Sequence, residues 1–422
     1  MRSKFIRKKS VVEVFGNNTM SNPYASIGGV GYSFVKEIIK SNDTNQGWTV
    51  SEFNNTSPYT TQESVRVDPP LNGKLIKTTF YLNDNTIKKE VKYKYLLNTT
   101  HLYFGINFKR NINAFTHVFS TGRESFTNPD LGDSFYANKA FTIIAHRLQT
   151  YDILLESITT TTDNVIETEK NSYNPVTLQL KEKKISKSNS ADVFSHKYLY
   201  PNDLNCGIYA TMLTKNILSP IVEEQLFNDG KYIGGSMMEY KVTDYNLIAP
   251  SKKYFSELKN PLSSAPTYSC TNGVSASVFP FVNVKYEKFD RRNNPAYLIH
   301  NDATKIVYIW GYNYQYPIAK IENATYAEVE TAIKTVFSVT NIDVLSAQNT
   351  PNETKLKDGN LQKALPNALV TTYTYRPLVG MTSVTDPRGV KTTYEYDPFG
   401  RLQTIKDENN KAIENYDYHY NN

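Results

Sequence analysis

A repeat of 21 to 22 residues near the C-terminus constrains this chain more than any other feature. Three segments align: Thr371-Thr-Tyr-Thr-Tyr375, Thr392-Thr-Tyr-Glu-Tyr396 and Glu414-Asn-Tyr-Asp-Tyr418. Tyr373 and Tyr394 are 21 residues apart, and Tyr394 and Tyr416 are 22 apart. Met381 and Leu402, Val384 and Ile405, and Asp386 and Asp407 recur at the same 21-residue interval. A fixed period in this range marks a stacked or spiralling architecture. Asp386-Pro-Arg-Gly389 and Asp397-Pro-Phe-Gly400 place Asp, Pro and Gly at the positions a type I β-turn prefers, and Asp407-Glu-Asn-Asn410 fills the third turn. The expected product is a meander of short strands. Tyr373 and Tyr375 share one face, as do Tyr394 and Tyr396, and Tyr416, Tyr418 and Tyr420; such residues pair across strands for about 0.2–1 kcal/mol each. Leu402 and Ile405 have opposite parity, as do Met381 and Val384, so each copy should contain a β-bulge.

Thr393-Tyr-Glu-Tyr-Asp-Pro-Phe-Gly-Arg-Leu402, with Ile405 and Asp407 after it, resembles the YD repeat of the Rhs (rearrangement hot spot) family. Tyr396-Asp397 is the name-giving pair, and Gly400, Arg401 and Leu402 form the second half of the motif. The neighbouring copies depart from it, with Tyr375-Arg376, Gly380-Met381 and Tyr418-His419. Segments 212–220 and 310–326 are more diffusely similar to the region before the repeat core in Bacteroidetes-type members. The resemblance implies a large exported or surface-displayed protein whose repeats wind a β-strip into a hollow shell. The chain runs some 20 residues past Leu402, so a fragment or shortened member is expected, without a toxin domain. Further YD repeats or another protein chain are then the expected partners at the C-terminal edge strand. Asp397-Pro-Phe-Gly400 is also similar to an Asp-Pro-x-Gly motif near that family's self-cleavage site, but inside a repeat it reads as a plain turn.

Period-two alternation also dominates upstream. Residues 74–81 and 87–95 read as a hairpin around Asn83-Asp-Asn85, with Val91, Tyr93 and Tyr95 on one face and Lys92 and Lys94 on the other. Further pairs are 154–162 with 165–173, joined by Asp163-Asn164, and 178–185 with 193–200. Residues 305–310 read as a buried strand. Residues 323–366 break the pattern as a helical insert. There Tyr326, Val329, Ile333, Val336 and Phe337 share a helical face behind the capping box Thr325/Glu328, and a second helix is expected over about 356–365. Segments 41–70 and 255–280 read as long loops or edges. The division expected is 1–150, 151–322, 323–366 and 367–422, in a mainly β fold of antiparallel meanders with a small helical insert.

Composition limits the chemistry. Of 422 residues, 32 are Tyr, 20 Phe and only 2 Trp, which is too aromatic for a disordered chain. Lys and Arg total 47 against 41 Asp and Glu, and the one dense basic run, 2–9, reads as a solvated terminus, so no nucleic-acid partner is expected. No apolar stretch reaches the length of a membrane span, and no signal-peptide core follows the basic run. The two cysteines allow one bridge, Cys206–Cys270, and read as reduced thiols. Six histidines show no metal-ligand spacing. The glycines of 27–31 lack the Lys-Ser/Thr of a phosphate loop and read as a turn. Asp386, Asp397 and Asp407 could be imagined around calcium, but turn capping accounts for them. No metal or cofactor is expected.

The expected function is a non-enzymatic scaffold, secreted or at the cell surface in its full-length form. A second reading is a carbohydrate-binding surface module. Its candidate platform is Trp310, Tyr312, Tyr314 and Tyr316, which share a face if the segment is extended, and glycans are then a further partner class. The repeat-motif residues Tyr373, Tyr375, Asp386, Gly389, Tyr394, Tyr396, Asp397, Gly400, Arg401, Leu402 and Asp407 are read as structural.

Overall fold

The computed structural model describes residues 8–15, 32–41, 44–56, 59–60, 66–67, 69–110, 141–266, 268–270 and 273–418. Residues 2–7 of the basic run, the glycine turn at 27–31, His117, His419 and Tyr420 lie outside them. The chain divides into two compact units, Met1–Phe194 and Ser195–Asn422.

The first unit is a meander of β1 (Lys8–Phe15), β2 (Phe34–Ser41), β3 (Thr44–Phe53), β6 (Leu75–Tyr81), β7 (Ile87–Arg110), β8 (Phe141–Thr162), β9 (Val165–Tyr173) and β10 (Leu180–Lys187), with a separate short pair β4 (Tyr59–Thr60) and β5 (Arg66–Val67). Each strand of the meander runs antiparallel to the one before it. Two of the expected hairpins form, β6 with β7 and β8 with β9. Asp163 and Asn164 both take positive φ (48° and 67°), the backbone of a two-residue turn that follows strand twist. Val91 is buried and Tyr93 and Tyr95 half-buried on one face, while Lys92 and Lys94 are exposed on the other. One expectation fails: residues 44–53, read as loop or edge from their Ser, Thr and Asn content, form the interior strand β3. Thr, Trp and Val also suit strands, and β3 is held on both sides, by β2 and β6.

The second unit opens with β11 (Val193–Leu199) and continues the same topology through β12 (Glu223–Asn228), β13 (Lys231–Val242), β14 (Ile248–Phe255), β15 (Val284–Phe289), β16 (Pro295–His300), β17 (Thr304–Gly311), β18 (Tyr316–Glu322), β19 (Leu369–Arg376), β20 (Gly380–Thr385), β21 (Lys391–Tyr396), β22 (Leu402–Lys406) and β23 (Ala412–Asn415). From β12 onward, neighbours in sequence are antiparallel neighbours in the sheet. The helices are α1 (Pro201–Leu204), α2 (Gly207–Thr214), α3 (Tyr326–Phe337), α4 (Ile342–Ser346), α5 (Glu353–Lys357) and α6 (Asn360–Ala364).

The helical insert leaves the sheet continuous, because Ala319 of β18 pairs directly with Thr372 of β19. The capping box forms, with the Glu328 amide donating to Thr325 Oγ1 and the Thr325 amide donating to the Glu328 carboxylate at 2.7 Å. Val329, Ile333 and Phe337 bury against Val307, Ile309 and Ile321 of the predicted buried strand and its partner, and Leu345, Leu356 and Leu361 complete this core. Each fully buried aliphatic side chain contributes about 1.5–3 kcal/mol of transfer free energy. The single helix expected over 356–365 is instead α5 and α6. They break at Asp358-Gly359, where Gly359 has φ +74°.

A second core lies under α2, where Tyr209 and Met212 pack on Val222, Tyr232, Met237, Tyr254 and Phe279. Periodicity misses α1 and α2, which are only 4 and 8 residues long; Pro201 at the first helical position is the one legible signal. Leu258, Tyr268, Val274 and Val282 pack against this core, and Cys270 meets Cys206. The expectation of two reduced thiols is therefore corrected. The cysteines form a disulfide with Cα atoms 6.1 Å apart across 64 residues of sequence, a separation ordinary for a bridged pair. The pairing depends on a loop path that sequence spacing does not encode.

Candidate functional site

The repeat resolves into two devices that recur along it. The first is the turn. Asp386, Asp397 and Asp407 each accept two hydrogen bonds on Oδ1, from the amides two and four residues ahead, all at 2.9 Å. Gly389, Gly400 and Asn410 follow with positive φ (87°, 77° and 60°). That conformation favours Gly or Asn, and it closes a type I turn with a bulge. Asp290-Arg-Arg-Asn-Asn294 repeats the arrangement outside the expected repeat. Arg388 and Arg401 fork onto the outer oxygens of Asp386 and Asp397. Partial burial raises the affinity of these two carboxyls for a proton. The amide and guanidinium hydrogen bonds outweigh it, so both ionise below the usual Asp range.

The second device is an aromatic clamp on a β-bulge. Tyr396 pairs with Leu402 and Glu395 with Thr404, which leaves Gln403 as the extra residue. Tyr375 pairs with Met381 and Thr374 with Ser383, leaving Thr382. The parity break at these positions is thus a bulge in both copies, as expected. The carbonyl beside each bulge receives a hydroxyl from the next aromatic. Tyr396 donates to the Met381 carbonyl and Tyr418 to the Leu402 carbonyl, both at 2.8 Å.

The same geometry occurs where the sequence repeat is not visible. Phe53 faces Leu75 across a bulge at Ile76, and Tyr95 donates to the Leu75 carbonyl at 2.8 Å. Tyr95 faces Leu155 across a bulge at Glu156, and Tyr173 donates to the Leu155 carbonyl at 2.8 Å. Phe289 faces Pro295 across a bulge at Ala296, and the Trp310 indole donates to the Pro295 carbonyl at 2.9 Å. Five carbonyls, in both units, are held in one way. Tyr95, Tyr173, Trp310 and Tyr396 each serve twice, clamping one bulge and facing the next.

These contacts give the motif residues distinct tasks. Asp397 and Gly400 make the turn, and Leu402 offers the clamped carbonyl. Arg401 reaches back to Asp397 while its guanidinium lies 4.2 Å from the Tyr418 ring centroid. Gly380 lets the Tyr396 ring cross the backbone, since a Cβ there would sit 2.3 Å from the Tyr396 hydroxyl.

The proposed aromatic platform does not form. Residues 312–314 are not extended: Tyr312, Asn313 and Tyr314 all adopt left-handed backbone (φ 51°, 57° and 62°), in the turn between β17 and β18. Each such residue costs about 1–2 kcal/mol, offset here by burial. Tyr312 and Tyr314 retain 4% and 8% exposure. The Tyr312 hydroxyl donates to Glu353 and accepts from the Tyr375 amide, both at 2.9 Å. The Tyr314 hydroxyl donates to Asp343 at 2.6 Å. Burial, reinforced by these carboxylate partners, raises both phenol pKa values above the usual range. Tyr316 stacks on Tyr375 at 4.8 Å, and Trp310 is a clamp. Tyr312 and Tyr314 tie the helical insert to the sheet, while Trp310 and Tyr316 bind to the neighbouring strands.

Among the described residues no group of three or more His, Cys, Asp or Glu is placed to hold a metal ion, and no helix is long and apolar enough to cross a membrane. Residues 380–412 match the family model described as RHS Repeat. No curated protein matches the chain. Similar solved structures include chains in the crystal structures of TcdB2-TccC3-TEV (9% identity, TM-score 0.38, 94% of this chain and 21% of that one) and TcdB2-TccC3 (9%, 0.39, 94% and 22%). The Photorhabdus luminescens Tc holotoxin pore is a third (10%, 0.29, 89% and 18%). This chain spans about a fifth of the length of those chains. The repeat's turn and clamp residues and the family match coincide, and segment 380–412 of this chain is an RHS repeat.

Proposed function

We propose that this chain is a non-enzymatic structural scaffold, a length of β-strip belonging to an exported or surface-displayed protein and working through protein partners. The observation that carries this is the recurrence of the clamped bulge at five places in two units. A bulge bends its strand and increases local twist. Repeating it with a fixed hydrogen bond sets curvature strand by strand, the requirement for a strip that curls around a volume. The repeat carboxylates are occupied by this architecture, since Asp386 and Asp397 are engaged by turn amides and arginines. The disulfide supports export, because such bonds persist in oxidising compartments.

Fractionation of the producing cell combined with thiol alkylation tests the reading. The expected result is a chain outside the cytoplasm, or shaved from the surface by protease, with neither cysteine alkylated before reduction. A cytoplasmic chain with both thiols reactive overturns it.

A further inference from the structure

We propose that a cleft between α5 and the strands β19 to β21 binds an acidic saccharide. The cleft has a volume of about 550 Å³, within the range of small-ligand sites. Tyr375, Tyr312 and Tyr394 contribute aromatic rings to its lining. Tyr375 is held rigid between Tyr316 and Tyr312, with ring centroids at 4.8 and 5.9 Å.

The charge balance of the cleft is positive. Glu353, its one carboxylate, is bound by Lys357 at 2.8 Å and by the Tyr312 hydroxyl at 2.9 Å. Arg376 and Lys391 also line it, and neither forms an ion pair among the described residues. Around the repeat turns Arg388, Arg401 and Lys406 are each matched to a carboxylate, whereas Lys411, which does not line the cleft, forms no ion pair among the described residues. Two unmatched cations facing one concave surface, with the only carboxylate neutralised, call for an anionic ligand.

The remaining lining is rich in small hydroxyls and amides. Thr393 and Asn410 make no side-chain hydrogen bond among the described residues, and Thr382 shares its hydroxyl with Thr374 at 2.8 Å. An array of short neutral polar groups beside phenol rings suits a ligand with many hydroxyls and a flat carbon face. Adding the two cations, the chemistry is that of a sugar carrying a carboxylate, such as a uronic acid. The site lies beside the buried tyrosine turn, and its lining comes from both the helical insert and the repeat segment. The inference is independent of the scaffold reading, so either can fail alone.

Calorimetric titration of the full chain with tetragalacturonate and with neutral galactotetraose decides it. The acidic oligomer is expected to bind at least tenfold more tightly than the neutral one. Lys391→Met and Arg376→Met should each weaken it by about tenfold or more, the weight of a charge-assisted hydrogen bond, with unchanged melting temperature. Absence of binding, equal binding of the neutral oligomer, or variants that bind like the parent overturn the proposal. So does polyglutamate binding as tightly as tetragalacturonate, which would make the cleft a site for acidic peptide.

Discussion

Replacing Tyr396 by Phe removes one oxygen and tests whether the clamp holds the bulge. The hydroxyl donates to the Met381 carbonyl at 2.8 Å, and no second side chain donates to that carbonyl among the described residues. The net value of such a bond is about 0.5–1.5 kcal/mol, and a half-buried carbonyl that loses its side-chain donor adds a desolvation penalty, so the expected loss is about 1–2 kcal/mol. For a unit of roughly 200 residues this lowers the melting temperature by about 2–8 °C, at 2–4 °C per kcal/mol. Differential scanning calorimetry reads the shift. Two companions make the result specific. Tyr173→Phe should cost less, because the Leu155 carbonyl also accepts from Asn171 Nδ2 at 3.1 Å. Tyr394→Phe should cost close to nothing, as its hydroxyl has no hydrogen-bond partner among the described residues. If Tyr396→Phe melts like the parent, or if Tyr394→Phe is equally damaging, the clamp is not what holds the bulge.

Gly380→Ala should destabilise by about 1–3 kcal/mol, since its Cβ would land on the Tyr396 ring; combined with Tyr396→Phe the two losses should add to less than their sum in a double-mutant cycle. Cys206→Ser should cost about 2–5 kcal/mol, and dithiothreitol should lower the melting temperature of the parent but not of this variant. Glu223 is buried at 3% exposure, and desolvation raises its pKa above 4.5, against a weaker opposing hydrogen bond from Gln225. The folded state then holds its proton longer than the unfolded chain, so stability falls as pH rises from about 4.5 through the raised value, and Glu223→Gln should flatten that slope in pH-dependent urea melts. Asp386 and Asp397 have the opposite sign: their folded values are depressed, their contribution is present above pH 3.8, and it is lost as pH falls through them. Asp397→Asn should therefore blunt acid unfolding.

The legible parts of this molecule are those encoded within a few residues. Asp163-Asn164 announces its turn because only certain side chains accept positive φ. Thr325 and Glu328 announce α3 because a cap needs both. The parity break between Leu402 and Ile405 announces a bulge because a strand has period two. The β3 strand was obscured because composition outweighed its alternation, and α1 and α2 because 4 and 8 residues are too few for a 3.6-residue period to emerge. The Tyr312–Tyr316 platform failed for a similar reason. Alternation places side chains on one face only if the backbone is extended, and three consecutive left-handed residues are selected here by packing against the insert.

The clamp was out of reach for a different cause. Its donor and acceptor are 15 residues apart at Tyr396 and 20 at Tyr95, and the acceptor is a carbonyl, which every residue has. The chain of letters determined the strand period, the turn sites and the family of the segment 380–412, since these follow from local backbone preference. Only the tertiary structure decided that Cys206 meets Cys270, that the unmatched cations Arg376 and Lys391 line one cleft, and that the abundant tyrosines fasten bulges. Those depend on which carbonyl, thiol or charge a folded path brings within 3 Å or so of hydrogen-bonding reach, a distance that no spacing along the sequence specifies.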